Sequence, residues 1–292
     1  MNIILGASGQ VGGAVVANLI EKGEPVKVVI RDSKKAADIE KQGATVAVAD
    51  AFDLPALTEA FKDGTTLFVL TPESGESKDV LGDTKKILEN YRKAVEASPI
   101  KKVIGLSSMG AQYSEGTGNL LMSYMLEHAF EGMDVKTTFI RPAYYFSNWM
   151  MYLDVAKQKG ILPTFFPVDL AIPMISPLDT GKNAADIITM EGTAGKIYEL
   201  KGPILYSSKD VASAFAVALG KEVTAVQTPR DEWGTALRGA GFSEDAINNF
   251  IDMTTAVVEG KLKNETTGVT TLTGKTTLQQ YILDAVNQAA EA

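Results

Sequence analysis

Short runs of apolar and β-branched residues alternate, along the first half of the chain, with stretches whose apolar positions recur every three or four residues. The runs lie at 2–5, 26–31, 44–49, 65–70, 101–106 and 136–141, and the helical stretches at 10–22, 33–42, 54–61, 82–97 and 120–130. Near-continuous apolar runs of this length suit strands buried on both faces. Six of them separated by five helices predict an α/β fold with a Rossmann-type, doubly wound parallel sheet.

The rhythm changes after Arg141-Pro142. An aromatic and methionine-rich segment at 144–152 and a proline-rich stretch through Pro177 read as a crossing between domains. A helix at 177–190 and a strand at 196–200 are expected to return to the main sheet. From Ser207 the pattern is mainly helical, with a strand at 223–228, and the Thr-, Gly- and Lys-rich segment 260–275 predicts a loop. The expected division is a dinucleotide-binding domain at 1–146, rejoined by 177–202, and a smaller, mainly helical substrate or partner domain within 147–292.

The 292 residues are 45% hydrophobic and 22% charged, ordinary globular usage with enough apolar side chain for a core. Lys plus Arg number 28 against 36 Asp plus Glu, a net charge of −8, and the basic residues come in scattered pairs such as Lys34-Lys35. Direct DNA or RNA binding is disfavoured, because neutralising phosphates needs a concentrated positive face. Cysteine is absent and histidine occurs once, at His128. Disulfides, thiolate metal sites, a Cys nucleophile and two-His zinc motifs are thereby excluded, and no metal is expected. The most apolar stretch, 161–175, contains Pro163, Pro167, Asp169 and Pro173 and is no membrane span. No basic residue precedes Lys22 and glycines interrupt the apolar start, unlike a signal peptide. A cytoplasmic protein acting on a small molecule is expected, without membrane contact.

Gly6-Ala7-Ser8-Gly9-Gln10-Val11-Gly12 directly follows the first predicted strand and opens the first predicted helix. A glycine-rich bend there lets main-chain amides approach a pyrophosphate, and the helix N-terminus favours that anion. Gly6, Ser8, Gly9, Gln10, Val11 and Gly12 are the candidate phosphate-binding residues. Their Gly-x-x-Gly-x-x-Gly spacing differs from the Gly-x-Gly-x-x-Gly form.

This spacing, with Arg31 after the second strand, Asp50 after the third, Ser107-Ser108 after the fifth and Arg141-Pro142 after the sixth, resembles the atypical short-chain dehydrogenases of the NmrA-like family. Thr137 to Pro142 and the segment from Leu178-Asp179 through Asp186 extend the likeness over nearly the whole chain. The resemblance implies a nicotinamide cofactor but not one reaction. Such relatives include NADPH-dependent quinone and dye reductases, nucleotide-sugar epimerases, and redox-sensing regulators without activity. It also implies that Asp50 and Ala51 lie beside the adenine, that Leu70, Thr71 and Pro72 border the ribose and nicotinamide, and that Ser107 and Pro142 adjoin the cofactor. On the residues alone, Asp50 can equally cap a turn and Thr71-Pro72 can simply end a strand.

Arg31 offers planar, charge-assisted hydrogen bonds to a 2′-phosphate, with Ser33 and Lys34 beside it. NADP(H) is therefore preferred, with NAD(H) possible because Asp32 can instead face the ribose. Ordinary short-chain dehydrogenases use a Tyr-x-x-x-Lys pair as proton donor. Set against the resembling family through Glu127, the lysine slot falls on Ser123 and the tyrosine slot on Asn119, and neither fills the role. Tyr124 and His128, four apart on one helical face, are weak catalytic candidates, as is Tyr144. A packed tyrosine and a surface histidine are the plainer reading of the pair.

Tyr144, Tyr145, Phe146 and Asn148 form a candidate substrate wall, with Ser108 and Met109 at the fifth-strand end. Aromatic faces beside a nicotinamide can sandwich a planar acceptor, although such clusters also serve as interdomain core. Ser107, Ser108 and Met109 can likewise only close a turn. A missing dyad suits an acceptor whose anion is delocalised after hydride transfer. The leading expectation is an NADPH-dependent oxidoreductase of quinone-like or conjugated molecules. The alternative is a non-catalytic NADP(H) sensor acting through a protein partner, and a nucleotide-sugar epimerase ranks third.

Overall fold

A computed structural model describes every residue except Asn264, Thr266 and Ala292. The chain opens with β1 (Asn2–Leu5), α1 (Gln10–Glu21), β2 (Val26–Ile30), α2 (Ala36–Lys41), β3 (Thr45–Val48) and α3 (Leu54–Phe61). It continues through β4 (Thr66–Leu70), α4 (Val80–Glu96), β5 (Lys102–Leu106), α5 (Leu120–His128) and β6 (Lys136–Pro142). Next come β7 (Tyr144–Tyr145), α6 (Leu153–Lys159), β8 (Ile161–Thr164), β9 (Ile172–Ile175), α7 (Pro177–Thr189) and β10 (Ile197–Lys201). The last elements are β11 (Leu205–Tyr206), α8 (Ser208–Leu219), β12 (Thr224–Gln227), α9 (Trp233–Gly239), α10 (Glu244–Val258), β13 (Val269–Thr273) and α11 (Leu278–Glu291).

Helix starts follow local chemistry. Asp53 accepts from the Ala56 N–H and Ser176 from the Leu178 N–H, each with a proline in the first turn. Ser207 and Asp210 form a reciprocal capping box on α8, which stops at left-handed Gly220. The expected helix at 33–42 begins as a tight turn over Ser33–Lys35, because the Asp32 carboxylate takes the Lys34 N–H.

Eight parallel strands form the main sheet in the order β13-β10-β6-β5-β4-β1-β2-β3. One face packs Leu57, Phe61, Leu88, Tyr91, Leu126 and Phe130 from α3 to α5 and the segment after it; the other packs α1 and α7. The order reverses between β1 and β4, so their carboxyl ends open a crevice. A third core, around Phe146, Trp149, Phe215 and Ile282, belongs to the smaller region. That region also carries two small sheets, β11-β9-β7 and β12-β8.

One expectation is corrected. Within 260–275, Val269–Thr273 is no loop but the sheet's last strand, paired in parallel with β10. With Val269 and Leu272 half-buried and its three threonines exposed it makes a polar edge strand, and Thr and Val favour the pleat even where composition suggests a loop. Within the same expected loop, Asn264 and Thr266 lie outside the described residues.

Candidate functional site

β1 is followed at once by Gly6, whose φ of +71° is a conformation that side-chain-bearing residues rarely adopt. A Cβ there would lie 2.4 Å from Leu70 Cδ2. At Gly12 the constraint is the backbone itself, since a Cβ would fall 2.2 Å from the Gly6 carbonyl oxygen and 2.8 Å from the Ala7 nitrogen. Gly9 sits before α1 in extended conformation with no side-chain cap on the helix. The first-turn amides have no intrahelical acceptor and face the crevice at the switch point. Ser8, Gly9 and Gln10 are exposed and Val11 is half-buried. Gln10 Oε1 accepts from the Tyr281 hydroxyl at 2.7 Å, tying the bend to α11. This is a cradle that a side chain would fill, and its donors suit the paired phosphates of a dinucleotide.

Arg31, one residue past β2, is exposed. Asp32, its rival for the ribose, accepts from the Lys34 N–H on Oδ1 at 3.0 Å. Asp50 Oδ1 accepts from the Phe52 N–H at 2.9 Å, and Asn90 donates to the Ala51 carbonyl at 3.0 Å. Arg31 and Asp50 converge on the buried Tyr91. Burial raises that phenol's pKa, the Asp50 charge raises it further, and Arg31 opposes.

At the other side of the crevice, Leu70 and Thr71 are half-buried and Pro72 is exposed. Ser107 is buried and donates to Glu127 Oε1 at 2.6 Å. Ser108 Oγ turns back to the Met109 carbonyl at 3.1 Å, and the Met109 N–H bonds the carbonyl of buried Pro142, also at 3.1 Å. Tyr144 packs edge-on against Trp149 and Phe166, at 5.9 and 5.5 Å between ring centres, and burial holds its phenol well above the usual range. Tyr145 buries its hydroxyl without a hydrogen-bond partner. Asn148 is exposed.

Phe146 corrects the expected substrate wall. It is 0% exposed, between Tyr206 and Tyr281 at 5.6 and 5.7 Å, and belongs to the smaller region's core. The aromatic run leaves Tyr144 and Tyr145 half-buried and spends Phe146 and Trp149 on packing. Tyr124 and His128 stack at 4.1 Å, with His128 Nδ1 2.7 Å from the Tyr124 carbonyl oxygen and Nε2 facing Glu131. His128 is exposed, which is the plainer reading of that pair.

Arg141 organises the ends of β5, β6 and β10. Its side chain is 3% exposed and binds Glu127 through both Nε and Nη2, at 2.8 and 2.7 Å, while Nη1 meets Glu265 at 2.5 Å. Burial works against the guanidinium charge, but the two carboxylates outweigh it and raise the pKa. Glu199, opposite Arg141 in the ladder, is buried and its carboxyl is held above the usual range by that burial, with Arg141 opposing.

Two features escaped the sequence reading. Glu73, next after Pro72, is an exposed acid on the loop that follows β4. The α9–α10 hairpin covers the loops after β4 and β5. Ser243 N–H donates to the Gly75 carbonyl at 2.8 Å, Val80 N–H to Asp245 at 2.8 Å, and Asn119 N–H to the Asn249 carbonyl at 3.2 Å. Gly118, at φ +51°, leaves room for that contact, since a Cβ would lie 1.9 Å from the Asn249 oxygen. No periodic signal announces contacts between residues so far apart.

A doubly wound parallel sheet with a side-chain-free cradle at its switch point defines a Rossmann-type α/β protein. The chain belongs to the NmrA-like family, whose model matches residues 2–288. It is 25% identical over 254 residues to the NAD(P)H azoreductase of Xenophilus azovorans, covering 85% of each chain. Its fold matches the NADPH complex of an NADPH-dependent quinone oxidoreductase from Escherichia coli with a TM-score of 0.80 at 23% identity, over 99% of this chain and 100% of that one. A triphenylmethane reductase from Citrobacter sp. gives 0.81 at 20% identity, over 98% and 99%. Among the described residues no helix is long and apolar enough to cross a membrane.

Proposed function

We propose that the protein is an NADPH-dependent oxidoreductase that reduces a quinone-like or otherwise conjugated small molecule by hydride transfer. The observation that carries this reading is the bend at Gly6 to Gly12, where a cradle of amides is kept open by a glycine that tolerates no Cβ. Arg31 supports the choice of a 2′-phosphate, and Asp32 has given one oxygen to its own turn. Relatives described as azo, quinone and triphenylmethane reductases support the acceptor class.

The bound dinucleotide supplies the hydride. The first-turn amides of α1 hold the phosphates, Arg31 the 2′-phosphate, and Asp50 with Ala51 flank the adenine. Leu70 and Thr71 border the ribose. Tyr144, Tyr145, Ser108 and Met109 line the approach of the acceptor, and Asn148 stands at its exposed rim. Asn119 and Ser123 occupy the positions of the usual Tyr-x-x-x-Lys pair and cannot act as that pair does.

The test is NADPH consumption against a panel of quinones and azo and triphenylmethane dyes. Turnover no greater than an enzyme-free blank would overturn the reading. In parallel, Arg31→Ala should cut the preference for NADPH over NADH by about tenfold or more in fluorescence titrations, the scale of a lost charge-assisted hydrogen bond.

A further inference from the structure

We infer that Tyr281, on α11, is a positioning residue for the cofactor: it holds the Gln10 side chain so that the amide Nε2 turns its two N–H groups to the dinucleotide's paired phosphates. This rests on the cofactor site of the reductase reading above. Gln10 is the first residue of α1, directly after the helix cap Gly9, and it is exposed. Tyr281 is buried, and its hydroxyl donates to Gln10 Oε1 at 2.7 Å.

Three helices fix this geometry. Gly181 of α7 lies so close to the start of α1 that a Cβ there would stand 2.6 Å from the Val11 carbonyl oxygen and 2.5 Å from Ala14 Cβ. Two residues earlier on α7, Asp179 accepts from the Thr276 N–H at 2.8 Å and from the Thr276 hydroxyl at 3.0 Å, just before α11 begins. The Leu278 N–H, at the start of α11, donates to the Tyr206 hydroxyl at 3.3 Å. The Tyr281 ring packs against Phe146, 5.7 Å between centres. α11 is therefore set against α1 through α7, and the ring is held by packing. What the hydroxyl adds is a hold on Gln10.

A carboxamide carries an acceptor end and a donor end on one plane. With Oε1 committed to Tyr281, the end left over is Nε2. It stands on the turn that also carries the unpaired main-chain amides, where the helix end favours an anion. Turned the other way, the amide would present Oε1 to phosphate oxygens, an acceptor to acceptors. An unheld glutamine would also lose rotamer freedom on meeting the ligand, and one already held loses less. Tyr281 thus strengthens phosphate binding without touching the phosphates, by acting through Gln10.

Tyr281→Phe keeps the ring against Phe146 and removes the hydroxyl. Fluorescence titration should show NADPH bound about three- to tenfold more weakly, the scale of one hydrogen bond. The KM for NADPH should rise in step, while the KM for a quinone acceptor stays within about twofold of wild type. Gln10→Met keeps the length of the side chain and loses both ends of the amide. It should weaken NADPH by a like factor, and the double variant by no more than Gln10→Met alone, because residues that act as one unit do not add. Losses that multiply in the double variant would mean that Tyr281 only packs α11, and would overturn the inference. Unchanged NADPH affinity in either single variant, or a matching rise in both KM values, would overturn it too. Each of these outcomes leaves the reductase reading standing, whereas a wild type that binds no NADPH would overturn that reading and the inference with it.

Discussion

At the β1 end of the crevice the groups that face a ligand are main-chain amides within seven consecutive residues, Gly6 to Gly12. At the β5–β6 end the charge sits on side chains drawn from across the chain, Glu127, Arg141 and Glu265, which bind one another. The first is shaped by the absence of atoms, because Gly12 leaves its helix against the Gly6 carbonyl. The second is shaped by charge: one buried guanidinium carries two carboxylates, with a third opposite it in the sheet. A site made of backbone is local and specific to a position, whereas a site made of side chains depends on the whole fold to assemble it. The two ends should therefore fail in different ways.

The largest effect is expected at Arg141. Replacing it by Ala strands Glu127 in the interior, and breaking a buried pair from one side costs about 3–5 kcal/mol. Urea denaturation should show the loss, and the double variant Arg141→Met with Glu127→Leu should recover much of it, because packed apolar groups leave no stranded charge. The pH dependence has a definite sign. Burial raises the Glu199 carboxyl above its unfolded value, so its contribution to stability is present at acid pH and lost as pH rises through the raised value. Without Arg141 this carboxyl and its neighbours lose their cation, and the deficit of the Arg141→Ala variant should be greater above neutrality than in mild acid.

Gly12→Ala should come next and damage the opposite end. The new Cβ meets backbone, which cannot turn aside as a side chain can, so α1 must shift away from β1 at a cost of about 1–3 kcal/mol. NADPH affinity should fall together with stability, since the shifted helix start carries the phosphate-binding amides. Gly13→Ala is the matched control, with its Cβ 3.3 Å from the Ala7 oxygen, and should cost less on both measures. A Gly12→Ala protein that binds NADPH like the wild type would break the claim that the bend is shaped for the cofactor.

The same contrast explains how much of the molecule was legible in the sequence. The first six strands and the glycine bend could be read directly, because apolar runs and a glycine triplet are patterns within a single short window. β13 was not, since an edge strand of threonines and half-buried apolar residues has the composition of a loop. Phe146 and Tyr145 are adjacent aromatics, yet Phe146 fills the smaller region's core while Tyr145 packs against the main sheet, a division no local pattern announces. The ion pair of Glu127 with Arg141 was not foreseen: Glu127 entered the sequence reading only as an anchor for the Tyr-x-x-x-Lys slots, and residues 14 apart show no pairing until α5 and β6 pack together.

The smallest effect belongs to the pair that looked most like a catalytic dyad. Tyr124 and His128 satisfy helical spacing, and their rings stack, but the contact lies on α5 and His128 is exposed with Nε2 3.8 Å from Glu131. The His128 Nδ1 is taken up by the Tyr124 carbonyl, so the histidine that would have to activate the tyrosine is bound to its backbone. Tyr124→Phe and His128→Gln should each change stability by no more than about 0.5 kcal/mol, the range of surface substitutions, and leave quinone and dye reduction at wild-type rates. A drop confined to quinone turnover in Tyr124→Phe would place a proton donor on α5 after all. An equal loss with both acceptors would instead mean that α5 positions the cofactor, since the dye needs no proton.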